Sequence, residues 1–310
     1  MTKSVPQFIV GVDVGGTNVK FGIVNLSGKI ILRTRLETKR YISNKKVLIE
    51  AIAAEILRLL KENQLSIRNV RGVGMGLPGL IDSESGIVDF LPNIPGWKNV
   101  PLAELLSKKI KVPVKIENDV NLITLGEWKF GAGRNCKDLV CMTLGTGVGG
   151  GLILDNKIYR GQGFVAGEIG HMPLNENGPA CNCGGWGCFE RYVGNQQLQK
   201  KAADIFHQKD IRLEDVYERA LKGDQRAARF WFAAGEHIGN ALVGVVNLLN
   251  PRLVIIGGGV SNNLKFMKPA IESAIAKRAM RVQAKMVKIV KAQLGDDAGI
   301  LGAKVLFDKE

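Results

Sequence analysis

The chain carries the same three-strand pattern twice, about 130 residues apart. The first copy, FIVGVDVGGTNVKFGIVNLSGKIILRTRLET at residues 8–38, reads as an apolar strand, a Gly/Thr turn, a second apolar strand, a polar turn and a third strand. The second copy, DLVCMTLGTGVGGGLILDNKIYRG at residues 138–161, follows the same plan. A duplicated strand unit of this kind predicts two homologous lobes.

Helices and strands alternate around these copies. The stretch NKKVLIEAIAAEILRLLKENQ repeats its apolar positions with a helical period, and VRGVGMGLPGLID and VPVKIEND read as strands separated by the short helix PLAELLSKKI. After Glu190 the chain is mostly helical, apart from the strand RLVIIGGGVS, and AGILGAKVLF predicts a closing helix. This order predicts an α/β fold whose partly parallel sheets are covered by helices.

Glycine-rich turns follow three of the predicted strands. They are DVGGT at 13–17, LGTGVGGG at 144–151 and GGGVS at 257–261. Gly15 and Gly16 let backbone N–H groups approach a phosphate closely, and the Thr17 hydroxyl adds a donor. The Asp13 carboxylate is suited to hold Mg²⁺ directly or through water. No P-loop motif is present, and a strand rather than a Rossmann helix follows the second turn. The three turns together predict a phosphate site.

Asp119 lies directly after the strand VPVKIE, where ligand sites of α/β sheets are found. A carboxylate there could take the proton from a hydroxyl that attacks a phosphate. The alternative is structural: Asp119 could cap the helix VNLITLGEWKFG, a position that Asp fills well. The phosphate turns elsewhere in the chain favour the catalytic interpretation.

Three of the five cysteines lie within eight residues, in ACNCGGWGCFE. Together with His171 they form H-x9-C-x-C-x4-C through Cys181, Cys183 and Cys188, which supplies the one imidazole and three thiolates of a closed tetrahedral zinc site. A disulfide across C-x-C would be strained, and redox pairs are usually C-x-x-C. The pattern predicts structural zinc, which would also fix the flanking carboxylates Glu168 and Glu190 beside a polyol.

The chain of 310 residues has a net charge of +14, which suits either nucleic-acid binding or a basic surface with an anionic substrate. From Lys265 to Lys291 there are eight basic residues and one acidic residue at helical spacing, and Phe266 is the single aromatic residue in the stretch, so aromatic residues do not alternate with the basic ones as they do where bases stack. This favours a solvated helix face and no nucleic-acid partner.

No apolar run reaches the roughly 18 residues of a membrane span, and no signal peptide is recognisable. We expect a cytoplasmic protein without a membrane partner.

The motifs DVGGT, GLPG, END, LGTGVGGG, GEIGH and CNCGGWGCFE follow one another in the order seen in the ROK family (repressor, open reading frame, kinase). The chain resembles this family over nearly its whole length. The resemblance implies the two-lobed actin-like ATPase (ribonuclease H-like) fold, with duplicated βββαβα-type domains around a cleft. It implies a small lobe of residues 1–119 with the C-terminal helix at about 299–310, and a large lobe of residues 120–298 with the zinc-binding loop.

The resemblance is closest to the family's glucokinases, which use ATP and Mg²⁺ to phosphorylate the 6-hydroxyl of the sugar. It implies that Asp119 is the general base and that His171 binds zinc through one ring nitrogen and sugar through the other. The residues implied to contact the sugar are Gly79, Asn93, Asn118, Asp119, Glu168, His171 and Glu190. Those implied to contact ATP and Mg²⁺ are Asp13, Gly15, Gly16, Thr17, Asn18, Lys20, Gly145, Thr146, Gly147, Gly149, Gly257, Gly258 and Gly259.

Several alternatives remain open in the sequence. Kinases of the family act on glucose, fructose, N-acetylmannosamine and other hexoses with almost the same motifs, and some relatives use polyphosphate instead of ATP. Leu80 gives the sugar pocket an apolar rim, which favours an unmodified hexose over an acetamido sugar. A non-catalytic sugar sensor is the rival class, although Asp119 argues for catalysis. Only 12 residues precede Asp13, so the helix-turn-helix of the family's repressors is not expected. The family implies a homodimer or homotetramer.

Overall fold

The computed structural model describes residues 7–41, 44–91 and 96–308, which form two compact units. The first unit runs through Asn135 and takes in Ile158–Ala166 and the chain from Leu294 onward. The second unit comprises Cys136–Lys157 and Gly167–Gln293. The chain therefore leaves the second unit for nine residues and then returns to it.

The described residues contain thirteen strands and ten α-helices, numbered in chain order. The strands are β1 Phe8–Val14, β2 Asn18–Asn25, β3 Ile30–Glu37, β4 Val70–Leu77, β5 Leu80–Asp82, β6 Ile87–Phe90, β7 Lys98–Val100, β8 Val114–Asn118, β9 Leu139–Leu144, β10 Val148–Leu154, β11 Lys157–Tyr159, β12 Leu253–Gly257 and β13 Lys288–Lys291. The helices are α1 Lys45–Glu62, α2 Leu102–Ile110, α3 Asp119–Phe130, α4 Glu190–Val193, α5 Asn195–Phe206, α6 Leu213–Leu221, α7 Gln225–Leu249, α8 Leu264–Arg278, α9 Arg281–Met286 and α10 Ala298–Val305.

The two five-stranded sheets repeat one topology. The first has the order β3-β2-β1-β4-β8, and the second has the order β11-β10-β9-β12-β13. In both, an antiparallel hairpin at the start of the repeat is followed by strands that pair in parallel, as β1 does with β4 and β9 does with β12. The duplication predicted from the sequence pattern is confirmed. A separate three-stranded antiparallel sheet, β5-β6-β7, follows β4.

Helix α10 packs directly against the first sheet, because the strands there carry glycines. A Cβ on Gly11 or Gly74 would come within about 2.6 Å of backbone carbonyl oxygens of α10, at Ile300 and Ala303 respectively. The same helix packs closely on α3, where Gly302 faces the backbone of Leu122. Helix α3 therefore belongs to the first unit, whereas the division expected from the sequence placed residues 120–130 in the large lobe.

Helix α7 forms the spine of the second unit. Its apolar face, which includes Trp231, Ile238, Leu242 and Val246, is buried in the hydrophobic core against α8 and the sheet. Among the described residues this is the one helix that is long and apolar enough to cross a membrane by length and composition alone. It ends at Leu249, where Asn250, ahead of Pro251, adopts a left-handed conformation and its N–H donates to the Val246 carbonyl oxygen.

Candidate functional site

The END turn joins β8 to α3 in the first unit. Asn118 caps the helix: its Oδ1 accepts hydrogen bonds from the N–H groups of Val120 (2.9 Å) and Asn121 (3.2 Å). Its Nδ2 donates to the carbonyl oxygen of Gly79, at 3.3 Å, so the GLPG loop lies against this turn. The structure thus brings Gly79, Asn118 and Asp119 together. Asn93 lies outside the described residues.

Asp119 is the first residue of α3, not its N-cap. Since Asn118 supplies the cap, the capping interpretation of Asp119 is wrong, and the cap lies one residue earlier. The Asp119 side chain is partly exposed at the carboxyl end of an edge strand, and its Oδ1 accepts a hydrogen bond from the Val120 N–H at 2.9 Å.

The first glycine turn connects β1 to β2. It is closed by a hydrogen bond from Gly15 N–H to the carbonyl oxygen of Asn18 (2.9 Å), and the Thr38 hydroxyl donates to the Gly15 carbonyl oxygen (2.7 Å). Gly16 and Thr17 are exposed, and a Cβ on Gly16 would have no described atom within 4 Å. The turn therefore has the open backbone that was expected of a phosphate site.

Asp13 lies at the end of β1 with Lys20 directly opposite on β2. Burial raises the pKa of Asp13, the Lys20 ammonium opposes that shift, and Asp296 adds to it. Lys20 itself forms an ion pair with Asp296, at 2.7 Å. Gly299 of α10 leaves room for the Asp13 carboxyl group, since a Cβ there would lie 3.2 Å from its Cγ. Sequence reasoning missed Asp296 and Gly299, although the acidic pair in GDDAG was a local signal.

We expect Asp13→Asn to stabilise the ligand-free protein at pH 7. Folding raises the pKa of the Asp13 carboxyl group, so keeping that group ionised in the folded protein lowers the free energy of unfolding at pH values above the folded pKa. Below about pH 3.8 the group is protonated in both the folded and the unfolded protein, and this cost disappears. The melting temperature should rise on the order of 1–4 °C at pH 7. Thermal unfolding of both proteins between pH 3 and pH 7 checks this. A variant that is less stable at neutral pH would contradict it.

The second glycine turn, between β9 and β10, holds a carboxylate. Glu190 Oε2 accepts a hydrogen bond from the Val148 N–H at 3.0 Å, and the carboxylate lies against Gly147, where a Cβ would clash with it. The turn is closed by a hydrogen bond from Gly145 N–H to the Gly147 carbonyl oxygen, at 2.9 Å. Gly147 is thus required by Glu190, while Gly145 and the exposed Thr146 remain open for a phosphate.

We expect Gly147→Ala to destabilise the second unit by about 1–3 kcal/mol, because its new methyl group meets Glu190. Gly145→Ala is a matched control two residues away, since a Cβ there would have no described atom within 4 Å. Chemical denaturation of the two variants checks this. Equal stability of both variants and the wild type would show that Glu190 does not lie against the turn.

The third glycine turn follows β12 and packs on the second. Gly258 has a φ of +79°, and a Cβ on it would clash with the backbone of Leu144. Its carbonyl oxygen accepts hydrogen bonds from both the N–H and the hydroxyl of Ser261, the latter at 2.7 Å. A Cβ on Gly259 would meet nothing described within 4 Å. The two predicted nucleotide turns of the second unit therefore lie together, with Gly149 on the adjoining strand β10.

Four side chains in the second unit converge into a candidate metal centre. The ligand atoms of His171, Cys181, Cys183 and Cys188 all lie within 4.8 Å of one another. His171 Nδ1 is 3.8 Å from Cys181 Sγ, and Cys183 Sγ is 3.6 Å from Cys188 Sγ. The edge of a tetrahedral zinc–thiolate site is about 3.7 Å. The donor set and its spacing therefore fit a tetrahedral zinc ion.

The thiols differ in their surroundings. Burial raises the pKa of Cys188 to about 12, whereas a hydrogen bond from the Gly185 N–H lowers the pKa of the exposed Cys183 to about 7. Three thiolates so close together need a compensating positive charge, which a zinc ion would supply. Backbone hydrogen bonds hold the loop in shape, among them Cys181 N–H to Gly185 O at 2.8 Å.

The same loop fixes two carboxylates. Glu168 lies on the Nε2 side of His171, at 3.9 Å, while Nδ1 faces the cysteines. Glu190 follows Cys188 by two residues and begins α4, where it reaches the second glycine turn. Within the second unit the structure therefore brings the predicted zinc ligands, Glu168, Glu190 and the glycine turns into one region.

The ROK family model matches residues 9–310 of the chain. A glucokinase from Thermotoga maritima is 32% identical over 95% of both chains. A xylose repressor from Caldicellulosiruptor bescii is 31% identical over 97% of this chain and 78% of its own length. The crystal structure of a ROK family glucokinase from Streptomyces griseus, in complex with glucose and AMPPNP, is 30% identical with a TM-score of 0.81 over 96% of this chain and 98% of that one.

The fold and the motifs place the chain in one class, the actin-like ATPase fold with duplicated α/β units. Within that class the family match covers nearly the whole sequence. This protein belongs to the ROK family.

Proposed function

We propose that this protein is an ATP-dependent glucokinase that transfers the γ-phosphoryl group of ATP to the 6-hydroxyl of glucose. The names of its glucokinase relatives and the glucose- and AMPPNP-bound structure support this class of reaction. The observation that carries it in the chain itself is the END turn. Asn118 takes the capping role, so Asp119 stands at the start of α3 as a carboxylate that the cap does not require.

Asp119 acts as the general base. It accepts the proton of the 6-hydroxyl as that oxygen attacks the γ-phosphorus, and the bond from the γ-phosphorus to the bridging oxygen breaks to release ADP. Asp13 and the open turn at Gly15–Thr17 hold Mg²⁺ and phosphate, and Gly145, Thr146 and Gly259 bind the nucleotide. Mg²⁺ supplies positive charge that offsets the charge on the phosphate oxygens.

The sugar hydroxyls are held by Asn118, Glu168, His171 and Glu190. The metal centre has a positioning role: with Nδ1 of His171 directed at the thiolates, Nε2 is left for a sugar hydroxyl beside Glu168. A zinc ion there would also fix the backbone that leads from Cys188 to Glu190. Such an ion would hold these groups in place and would take no part in phosphoryl transfer.

A second candidate is a kinase for another hexose or an N-acetylhexosamine, or a sugar sensor without catalysis. The xylose repressor relative supports the sensor, since this chain aligns with 78% of its length. Leu80, 41% exposed directly after the GLPG loop, favours an unmodified hexose.

We also propose a cytoplasmic location, a homodimeric or homotetrameric assembly and no nucleic-acid partner.

A panel of sugars tests the proposal. ADP release should be measured with ATP and Mg²⁺ against glucose, mannose, fructose, N-acetylglucosamine and N-acetylmannosamine. We expect kcat/KM to be highest for glucose. A higher value for an N-acetylhexosamine would identify a different kinase, and ADP release that no sugar stimulates would favour the sensor. Repeating the assay with polyphosphate in place of ATP decides the donor.

A further inference from the structure

The END motif begins with a buried carboxylate. Glu117, the residue before Asn118, lies near the end of β8 with its side chain only 1% exposed. Its register partner on β4 is Gly76, and β8 is an edge strand of its sheet. The backbone that leads into Asp119 is therefore held by strand pairing on one side only.

Three donors satisfy the Glu117 carboxylate. Oε2 accepts from Arg160 Nε at 2.7 Å, and Oε1 accepts from Asn121 Nδ2 and from the Asn118 N–H, both at 3.0 Å. Two of these donors belong to the END turn and the first turn of α3. Asn118 in turn caps α3, so a displacement of the Glu117 carboxylate would be passed to the residues on either side of Asp119.

Arg160 comes from the short segment that the chain inserts into the first unit. Residues 158 and 159 end strand β11, and residues 160–166 form a loop closed by a hydrogen bond from the Ala166 N–H to the Arg160 carbonyl oxygen, at 2.9 Å, with positive φ at Gly161 and Gly163. The segment contacts β5, which follows the GLPG loop. Arg160 is 28% exposed, so its ion pair with Glu117 is shielded from water far more than a surface pair.

We propose that Arg160 is a positioning residue for the reaction: through its ion pair with Glu117 it fixes the END turn and so the orientation of the Asp119 carboxylate. This inference rests on the proposed function of Asp119. Without the guanidinium group of Arg160, the buried Glu117 carboxylate would keep only its two neutral hydrogen-bond donors. It would then either recruit water or move, and a movement would displace Asn118 and the first turn of α3 as well. Small displacements of a base are costly to catalysis.

The test compares four variants: Arg160→Met, Arg160→Lys, Glu117→Gln, and the double variant that combines Arg160→Met with Glu117→Gln. We expect Arg160→Met to lower kcat by ~10–100-fold while KM for ATP stays unchanged. Arg160→Lys should recover part of the lost kcat, because lysine keeps the positive charge but lacks the planar guanidinium group with its fixed set of N–H donors. The double variant should be more active than Arg160→Met alone, because Glu117→Gln removes the buried charge and leaves an amide oxygen that can still accept from the Asn118 N–H.

Arg58→Met is the matched control. Arg58 pairs with Glu55, a carboxylate that is 6% exposed on α1 of the same unit and also accepts from Thr34. This control removes a similar arginine–glutamate pair away from the END turn and should leave kcat unchanged. If Arg160→Met and Arg58→Met have the same kcat, whether lowered or not, the positioning role is wrong.

Hydrogen exchange separates this inference from the proposed function. The capped amides of Val120 and Asn121 should exchange faster in Arg160→Met than in Arg58→Met, whether or not the protein turns over sugar. Faster exchange in a protein without sugar-dependent turnover would support the fixing of the turn and contradict the kinase. Unchanged exchange together with unchanged kcat in an active enzyme would overturn the inference alone.

Discussion

Replacing Asp119 with asparagine is expected to lower kcat by ~10²–10⁴-fold with little change in KM for the sugar. The amide keeps the shape of the carboxylate and can still accept a hydrogen bond from the Val120 N–H. It cannot accept the proton of the attacking hydroxyl, so only the chemical step should suffer. Steady-state kinetics with glucose, combined with calorimetric measurement of glucose affinity, checks this expectation.

Asp224→Asn is a suitable control for that experiment. Asp224 lies at the start of α7 and caps it, with its Oδ1 accepting from the N–H groups of Arg226 and Ala227. Asn caps helices as well as Asp does, so both stability and kcat should be retained. Near-normal turnover in Asp119→Asn, with glucose binding intact, would mean that another group accepts the proton.

Loss of the metal centre is expected to have the second large effect. Purified protein should contain about one zinc ion per chain. Cys183→Ser should lose most of that zinc and raise KM for the sugar by about tenfold or more, since ligands and their supporting contacts tune such sites by 10–100-fold. The physical reason is that the four ligands lie within 4.8 Å of one another only in the folded loop, which also carries Glu168 and Glu190.

Cys136→Ser provides the comparison for the zinc experiment. Cys136 is a further thiol of the second unit, buried where Cys183 is exposed, but it donates to the Asp138 carbonyl oxygen and does not belong to the cluster. This variant should keep its zinc and its sugar affinity. Elemental analysis and calorimetry on both variants decide the matter. Sugar affinity that is unchanged in zinc-free Cys183→Ser would contradict the positioning role of the metal.

Local patterns in the sequence predicted much of the molecule. The strand repeat, the glycine turns and the Cys/His cluster could all be found because their residues are close in the chain and their chemistry is distinctive. The predicted zinc ligands span only residues 171–188, and the structure brings their ligand atoms together as the spacing predicted. The repeated topology of the two sheets likewise follows from short stretches of alternating apolar residues.

Contacts between distant residues could not be predicted in this way. Glu117 and Arg160 are 43 residues apart, and Lys20 and Asp296 are 276 residues apart, so no spacing rule connects them. The position of the helix cap was also ambiguous, because Asn118 and Asp119 are adjacent and both residue types cap helices well. Only the backbone geometry shows that Asn118 is the N-cap.

The second glycine turn shows a further limit. Its sequence, LGTGVGGG, predicts a phosphate site. From the sequence of the turn alone, phosphate binding is a sufficient explanation for a glycine at position 147. In the folded unit the space at Gly147 is taken by the Glu190 carboxylate, which comes from a residue 42 positions beyond Val148. The glycine therefore makes room for a predicted sugar ligand, and neither composition nor spacing could separate that role from phosphate binding.

The central claim is most directly tested by following the phosphoryl group itself. Protein incubated with ATP, Mg²⁺ and glucose should be monitored by phosphorus NMR, with 6-deoxyglucose as the control that lacks the attacked hydroxyl. We predict that ADP and glucose 6-phosphate form in equal amounts with glucose and that no sugar phosphate forms with 6-deoxyglucose. Phosphate released to water, phosphorylation at another hydroxyl or no consumption of ATP would contradict the account.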